Sequence, residues 1–147
     1  MTSTDDSEPT KIHDASTGSH SEDVVTKLSP WSVTDTVTRL LAAAAARDLK
    51  VFAVIDHSGE AADAGLQLRD TKLVIFGSPT ATTTVMVAAP LAALDLPLKV
   101  LVWFADDCQA KLSYTAPDTL ARRYGLSTEI AARLAGIDAL TNAAIAR

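Results

Sequence analysis

The stretch Leu94–Tyr114 reads LDLPLKVLVWFADDCQAKLSY, and its reading decides the fold. It predicts a proline-opened strand, a tight acidic turn and a returning strand. On an extended chain Leu98, Val100, Val102 and Phe104 share one face, and Lys99, Leu101, Trp103 and Ala105 share the other. An arm that is apolar on both faces belongs in the centre of a sheet. The returning arm sets Gln109, Lys111 and Ser113 against Ala110, Leu112 and Tyr114, the alternation of a strand wetted on one side. Such a hairpin needs further strands beside it and helices over it.

The flanking sequence supplies both. Val24–Leu28 alternates as a strand that Pro30 ends, and Ser32 then caps a helix from about Val33 to Arg47, with Asp35 as a weaker capping partner. Val33, Val37, Leu40, Leu41 and Ala44 form its apolar stripe. Lys50 to His57 reads as a second strand, followed by a short helix that Ser58-Gly59-Glu60 caps and that ends near Gly65. Lys72–Phe76 is a third strand, apolar on both faces. Ser78 and Pro79 occupy the cap and first position of a Thr- and Ala-rich helix, which Pro90 interrupts. After the hairpin, Pro117-Asp118 opens a helix that Gly125 stops, and Ser127 caps the last one. Ile130, Leu134, Ile137 and Leu140 mark its buried stripe, and Gly136 is expected to allow a close contact.

This order predicts an α+β two-layer sandwich, with about five strands and helices mainly on one face. Several strands carry apolar side chains on both faces, so one helical layer leaves a greasy surface behind. A homodimer is the expected remedy.

The 147 residues suffice for one domain. Residues 1–23 hold six of the eighteen acids (Asp5, Asp6, Glu8, Asp14, Glu22, Asp23) and one of the thirteen bases (Lys11), leaving twelve of each in the remainder. Residues 1–22 are expected to be a disordered acidic tail in which His13 and His20 are solvated, and 23–147 a single domain. A neutral domain with only Arg122-Arg123 as a basic pair lacks the cation cluster that phosphate backbones demand, which argues against nucleic acid. No window is apolar enough for a membrane span, and the first 20 residues carry no signal-peptide core. One cysteine, Cys108, makes no internal disulfide and fits a reducing compartment, so a cytoplasmic protein is expected.

Val54-Ile55-Asp56-His57, Leu68-Arg69, Leu73-Val74-Ile75-Phe76-Gly77-Ser78-Pro79, Met86, Ala89-Pro90, Leu94-Asp95-Leu96-Pro97-Leu98-Lys99, Trp103 and Leu112-Ser113-Tyr114 together resemble the domain of unknown function 302 family. The likeness runs from about Val24 to Ile145 and is most specific at Leu-Asp-Leu-Pro-Leu-Lys. It implies a fold grouped with TATA-binding-protein-like folds and a dimeric assembly; it implies no activity, and a fold shared with a DNA binder is no evidence of DNA binding. The chain departs from the family pattern at Ser78-Pro79-Thr80-Ala81-Thr82-Thr83-Thr84, where Asn-Pro and a Gly-containing turn are usual, and at Cys108, where Gly is common.

Candidate chemistry is sparse. Ser78 and Thr80 stand where a strand meets a helix N-terminus, a place suited to an anion, although capping alone explains Ser78. His57 could act as a base or metal ligand, but Asp56 points to the opposite strand face and no second ordered histidine is at hand, so no metal is expected. Lys99 is a charge in an apolar strand and must reach an edge, an acid such as Asp95 or Asp56, or a ligand. Tyr114 and Ser113 could line the same opening. Cys108 lies beside Asp106-Asp107, a turn whose acids disfavour a thiolate, and no nucleophile is expected there. The leading expectation is a homodimeric domain that binds or senses a small ligand, an anion included, through His57, Ser78, Thr80, Lys99 and Tyr114, without a cofactor. The alternatives are an enzyme using His57 as base with Lys99 as stabiliser, and an interaction module that works through its open sheet face.

Overall fold

Strand β4, Leu98–Phe104, sits in the middle of an antiparallel sheet, as its two apolar faces require. The structure is a computed structural model and describes residues 23–147; the expected tail lies outside the described residues. Around β4 the order is β1 (Val24–Ser29), β5 (Ala110–Thr115), β4, β3 (Thr71–Gly77) and β2 (Lys50–Asp56). Register places Val74 opposite Val100, and Leu112 opposite Val102, on one face. Leu73, Leu101 and Ser113 form a row on the other face.

Helix α1 (Val33–Ala46) covers the first face together with α6 (Gly136–Ile145). Ser32 accepts a hydrogen bond from the Asp35 N–H at 3.0 Å, as expected of a cap. Val33, Val37, Leu40 and Ala44 then turn inward against Val74, Phe76, Val100, Val102, Leu112, Tyr114, Ile137, Leu140 and Ala144. Alanine at 44 and 144 keeps the two helices close. A second apolar cluster of Val85, Ala92, Leu120 and Leu134 lies among α3 (Pro79–Ala88), the 3-10 turn Pro90–Leu94, α4 (Pro117–Tyr124) and the 3-10 turn Ala132–Leu134 that follows α5 (Thr128–Ala131). Leu98 packs against both clusters.

The two-layer α+β architecture is therefore as the pattern predicts, and four local expectations need correction. Strand β2 ends at Asp56, and His57 already belongs to helix α2 (His57–Asp63). Asp56 rather than Ser58 is the cap: its carboxylate accepts from the Gly59 N–H at 2.9 Å and the Ser58 hydroxyl at 2.7 Å. A Cβ at Gly59 would stand 2.7 Å from Asp56 Oδ2, so a side chain there would push the capping carboxylate aside. The last helix is broken into α5, a 3-10 turn (Ala132–Leu134) and α6, because its apolar stripe serves two separate clusters. Gly136 makes no close approach, since a Cβ there would meet nothing within 4 Å.

Cys108 has φ of 63°, the left-handed region, and its N–H closes the β4–β5 turn on Ala105 O at 3.0 Å. This is a conformation that glycine adopts without steric cost, which accounts for the glycine that the family resemblance leads one to expect here. The second sheet face keeps its greasy character: Leu73, Ile75, Leu101 and Trp103 are half-buried and belong to neither apolar cluster.

Candidate ligand-binding site

The β4–β5 ladder pairs only Leu101 to Phe104 with Ser113 to Ala110. Below Leu101 the strands part, and the gap opens a cleft of about 300 Å³ whose walls include Val24, Leu73, Asp95, Lys99, Ser113 and Thr115. Local sequence explains the parting. Asp95 ends the 3-10 turn and is drawn toward α4, where its carboxylate accepts from Arg123 Nη1 at 2.8 Å and from the Tyr124 hydroxyl. The Tyr124 hydroxyl, seconded by the Arg123 guanidinium, holds the Asp95 carboxyl below its ordinary pKa against the opposing effect of burial.

Lys99 lies on the open face of the sheet, opposite Ile75. Its ammonium donates to Pro97 O at 2.9 Å and to Asp95 O at 3.3 Å. An ammonium carries three N–H donors, so one remains. Among the described residues no carboxylate stands within 4 Å of it. Beside it, Ser113 Oγ accepts from Trp103 Nε1 at 2.9 Å and shares a 2.9 Å hydrogen bond with Thr26 Oγ1. Lys99 thus presents a fixed positive charge with a free donor at the edge of an apolar cleft.

Tyr114 borders the same cleft from the helical side. Its ring is 3% exposed, and its hydroxyl donates to Asp138. Burial first, and the Asp138 hydrogen bond second, push its pKa up to about 12. Lys27 sits 5.3 Å from the ring centroid and donates to Thr141 Oγ1 at 2.7 Å and Asn142 Oδ1 at 2.8 Å. Burial pulls the Lys27 pKa down, with Asp138 opposing. The Tyr114 hydroxyl is therefore committed to the core.

The other expected site residues lie elsewhere. Asp56 pairs with Lys72 and Lys99 with Ile75, three residues along β3 and two strands across, so His57 stands beyond roughly 14 Å from Lys99. Ser78 follows Gly77 at the opposite end of β3 from His57. Its Oγ caps α3, accepting from the Ala81 N–H at 3.3 Å, and Thr80 is exposed on the first turn. The structure brings Lys99, Ser113 and Tyr114 together and leaves His57, Ser78 and Thr80 out of that cleft. Thr115, Val24 and the Arg123-Tyr124 clamp on Asp95 were not visible in the sequence, because the β1–β5 pairing and the docking of α4 carry no local signal. Among the described residues no group of three or more His, Cys, Asp or Glu could hold a metal ion.

The family model for the domain of unknown function DUF302 matches residues 25–144. The chain belongs to the DUF302 family. A crystal structure of an uncharacterized conserved DUF302 protein from Bacillus stearothermophilus superposes with a TM-score of 0.70 at 16% identity, over 83% of this chain and 94% of that one. That likeness concerns the fold alone. The DUF302 chain is also 37% identical over 110 residues to the fluoride-specific ion channel FluC 1 of Brucella suis biovar 1, covering 74% of this chain and 43% of the relative. The FluC 1 of Brucella abortus biovar 1 and the FluC 2 of Brucella melitensis biotype 1 match equally well, at 41% of their length. The chain thus spans less than half of these relatives. No helix among its described residues is long and apolar enough to cross a membrane.

Proposed function

We propose that this DUF302 domain is a cytoplasmic, homodimeric binding module that takes up a compact anion at Lys99 and serves fluoride handling beside a channel. The observation that carries the reading is the Lys99 ammonium, pinned by two carbonyls with one N–H left over, at the mouth of the β4–β5 cleft. A backbone-anchored ammonium has lost its rotamer freedom before any ligand arrives, so an anion gains the contact at low entropic cost. The Brucella relatives support the anion class. An ion channel needs segments that cross the membrane, and no such helix is found among the described residues, which suits a part working outside the pore. The half-buried Leu73, Ile75, Leu101 and Trp103 support the second copy, and the single exposed cysteine suits a reducing compartment. The neutral domain offers no phosphate-backbone footprint, so nucleic acid is not a proposed partner. An enzyme with His57 and Lys99 in one site is not favoured at their separation.

Titrating the full chain with sodium fluoride, with sodium chloride as control, tests the reading by backbone amide NMR shifts. Saturable shifts are expected at Lys99, Ser113 and Thr115, and Lys99→Gln should remove them while leaving the spectrum folded. Fluoride shifts that are absent, or that persist in Lys99→Gln, would overturn it. Sedimentation velocity at micromolar concentration should find two copies per particle, and a monomer refutes the dimer.

A further inference from the structure

We propose a second binding site, in the seam between the two apolar clusters, for a carboxylate that carries a short apolar chain. A cavity of about 260 Å³ lies there, bounded by the end of α1, the β3–α3 junction and the start of α6. Leu49, Phe76, Leu98, Leu134 and Ile137 make its apolar wall. Phe76 and Ile137 belong to the main cluster and Leu134 to the smaller one, so the space exists because neither cluster reaches across it. The chain adds no side chain at Gly136, where a Cβ would meet nothing within 4 Å.

Two guanidiniums, Arg47 and Arg133, complete the lining. Arg47 donates one N–H to Ala43 O at 3.1 Å, and its remaining donors are uncommitted among the described residues. No carboxylate of the described residues lies within 4 Å of either arginine. Arg69, Arg122 and Arg123 each pair with an aspartate, and Arg39 spends its donors on the carbonyls of Ala144 and Ala146. A planar guanidinium fork matches a carboxylate, and two of them beside an apolar recess select an anion with a hydrocarbon tail over a bare inorganic ion. Ser78 and Thr82 also line the cavity: Ser78 Oγ accepts from the Ala81 N–H, and Thr82 Oγ1 donates to Ser78 O at 3.1 Å. The cavity is separate from the Lys99 cleft, although Leu98 and Ile137 form a wall common to both.

Isothermal titration of the full chain with sodium octanoate tests the assignment. One octanoate per chain is expected, with affinity falling about tenfold or more when the two forks are lost in Arg47→Gln/Arg133→Gln. Both arginines are exposed, so that variant should keep the wild-type circular dichroism spectrum. Gly136→Leu, which fills the empty space, should also abolish binding, whereas Lys99→Gln should leave octanoate binding unchanged. No octanoate binding, or binding unaffected by the arginine and glycine variants, overturns the second site. Loss in Lys99→Gln alone also overturns it, by moving the octanoate to the first cleft. The fluoride titration reports independently on the Lys99 reading, so either proposal can fall without the other.

Discussion

Leu112→Ala is expected to lower the unfolding free energy by about 3–4 kcal/mol, near the middle of the range for a fully buried leucine. Leu112 is 0% exposed on β5, pairs with Val102 and lies in the main apolar cluster with Leu40 and Leu140. Removing its isobutyl group leaves a void walled on one side by the sheet and on the other by two helices that already pack through alanine. Neither layer can collapse into it without moving the other. For a domain of this size that loss is a large part of the total stability and should appear as a fall in melting temperature of roughly 10 °C or more. Leu28→Ala is the control, because Leu28 is 58% exposed on edge strand β1 and should change stability by under about 1 kcal/mol. Equal effects from the two variants, read from chemical denaturation midpoints, would contradict the packing described.

The second large effect concerns alkaline pH. Tyr114 has its pKa raised from 10.0 to about 12, chiefly by burial and then by the bond to Asp138. Its neutral form is the one the fold stabilises. Below pH 10 folded and unfolded chains both hold the proton, and the contribution is fully present. Between pH 10 and about 12 the unfolded chain releases the proton while the folded chain retains it, so stability falls as pH rises through this window. Tyr114→Phe should flatten that part of the stability profile while costing some stability at neutral pH, because Asp138 loses its donor. A Phe variant with the same decline from pH 10 to 12 would show that the linkage resides elsewhere.

How much of this could be read beforehand depended on whether the signal was local. The central place of β4 followed from Leu98 to Phe104 being apolar on both faces, and Ser32, Ser78 and Ser127 each cap the helix they precede. The role of Asp56 was hidden because the alternation of β2 runs smoothly into His57, while the cap depends on the Gly59 N–H swinging back onto the carboxylate. Lys99 stands out in the sequence as a charge in an apolar strand. Its partners are carbonyl oxygens, whose directions no residue type encodes. His57 and Ser78 looked combinable because both follow strands. Antiparallel neighbours β2 and β3 deliver their last residues to opposite rims of the sheet, and that pairing is a long-range fact.

Strand β1 carries a consequence for how the molecule assembles. Val24 pairs with Thr115, about ninety residues later, and every rung of the β1–β5 ladder is similarly remote. At ribosomal speeds of 5–20 residues per second, roughly 5–20 s pass between synthesis of the first strand and arrival of its mate. Through that interval Val24 and Leu28 travel unpaired. Seating β1 must therefore be among the last events of folding, and β1 is the strand most exposed to wrong partners until β5 arrives.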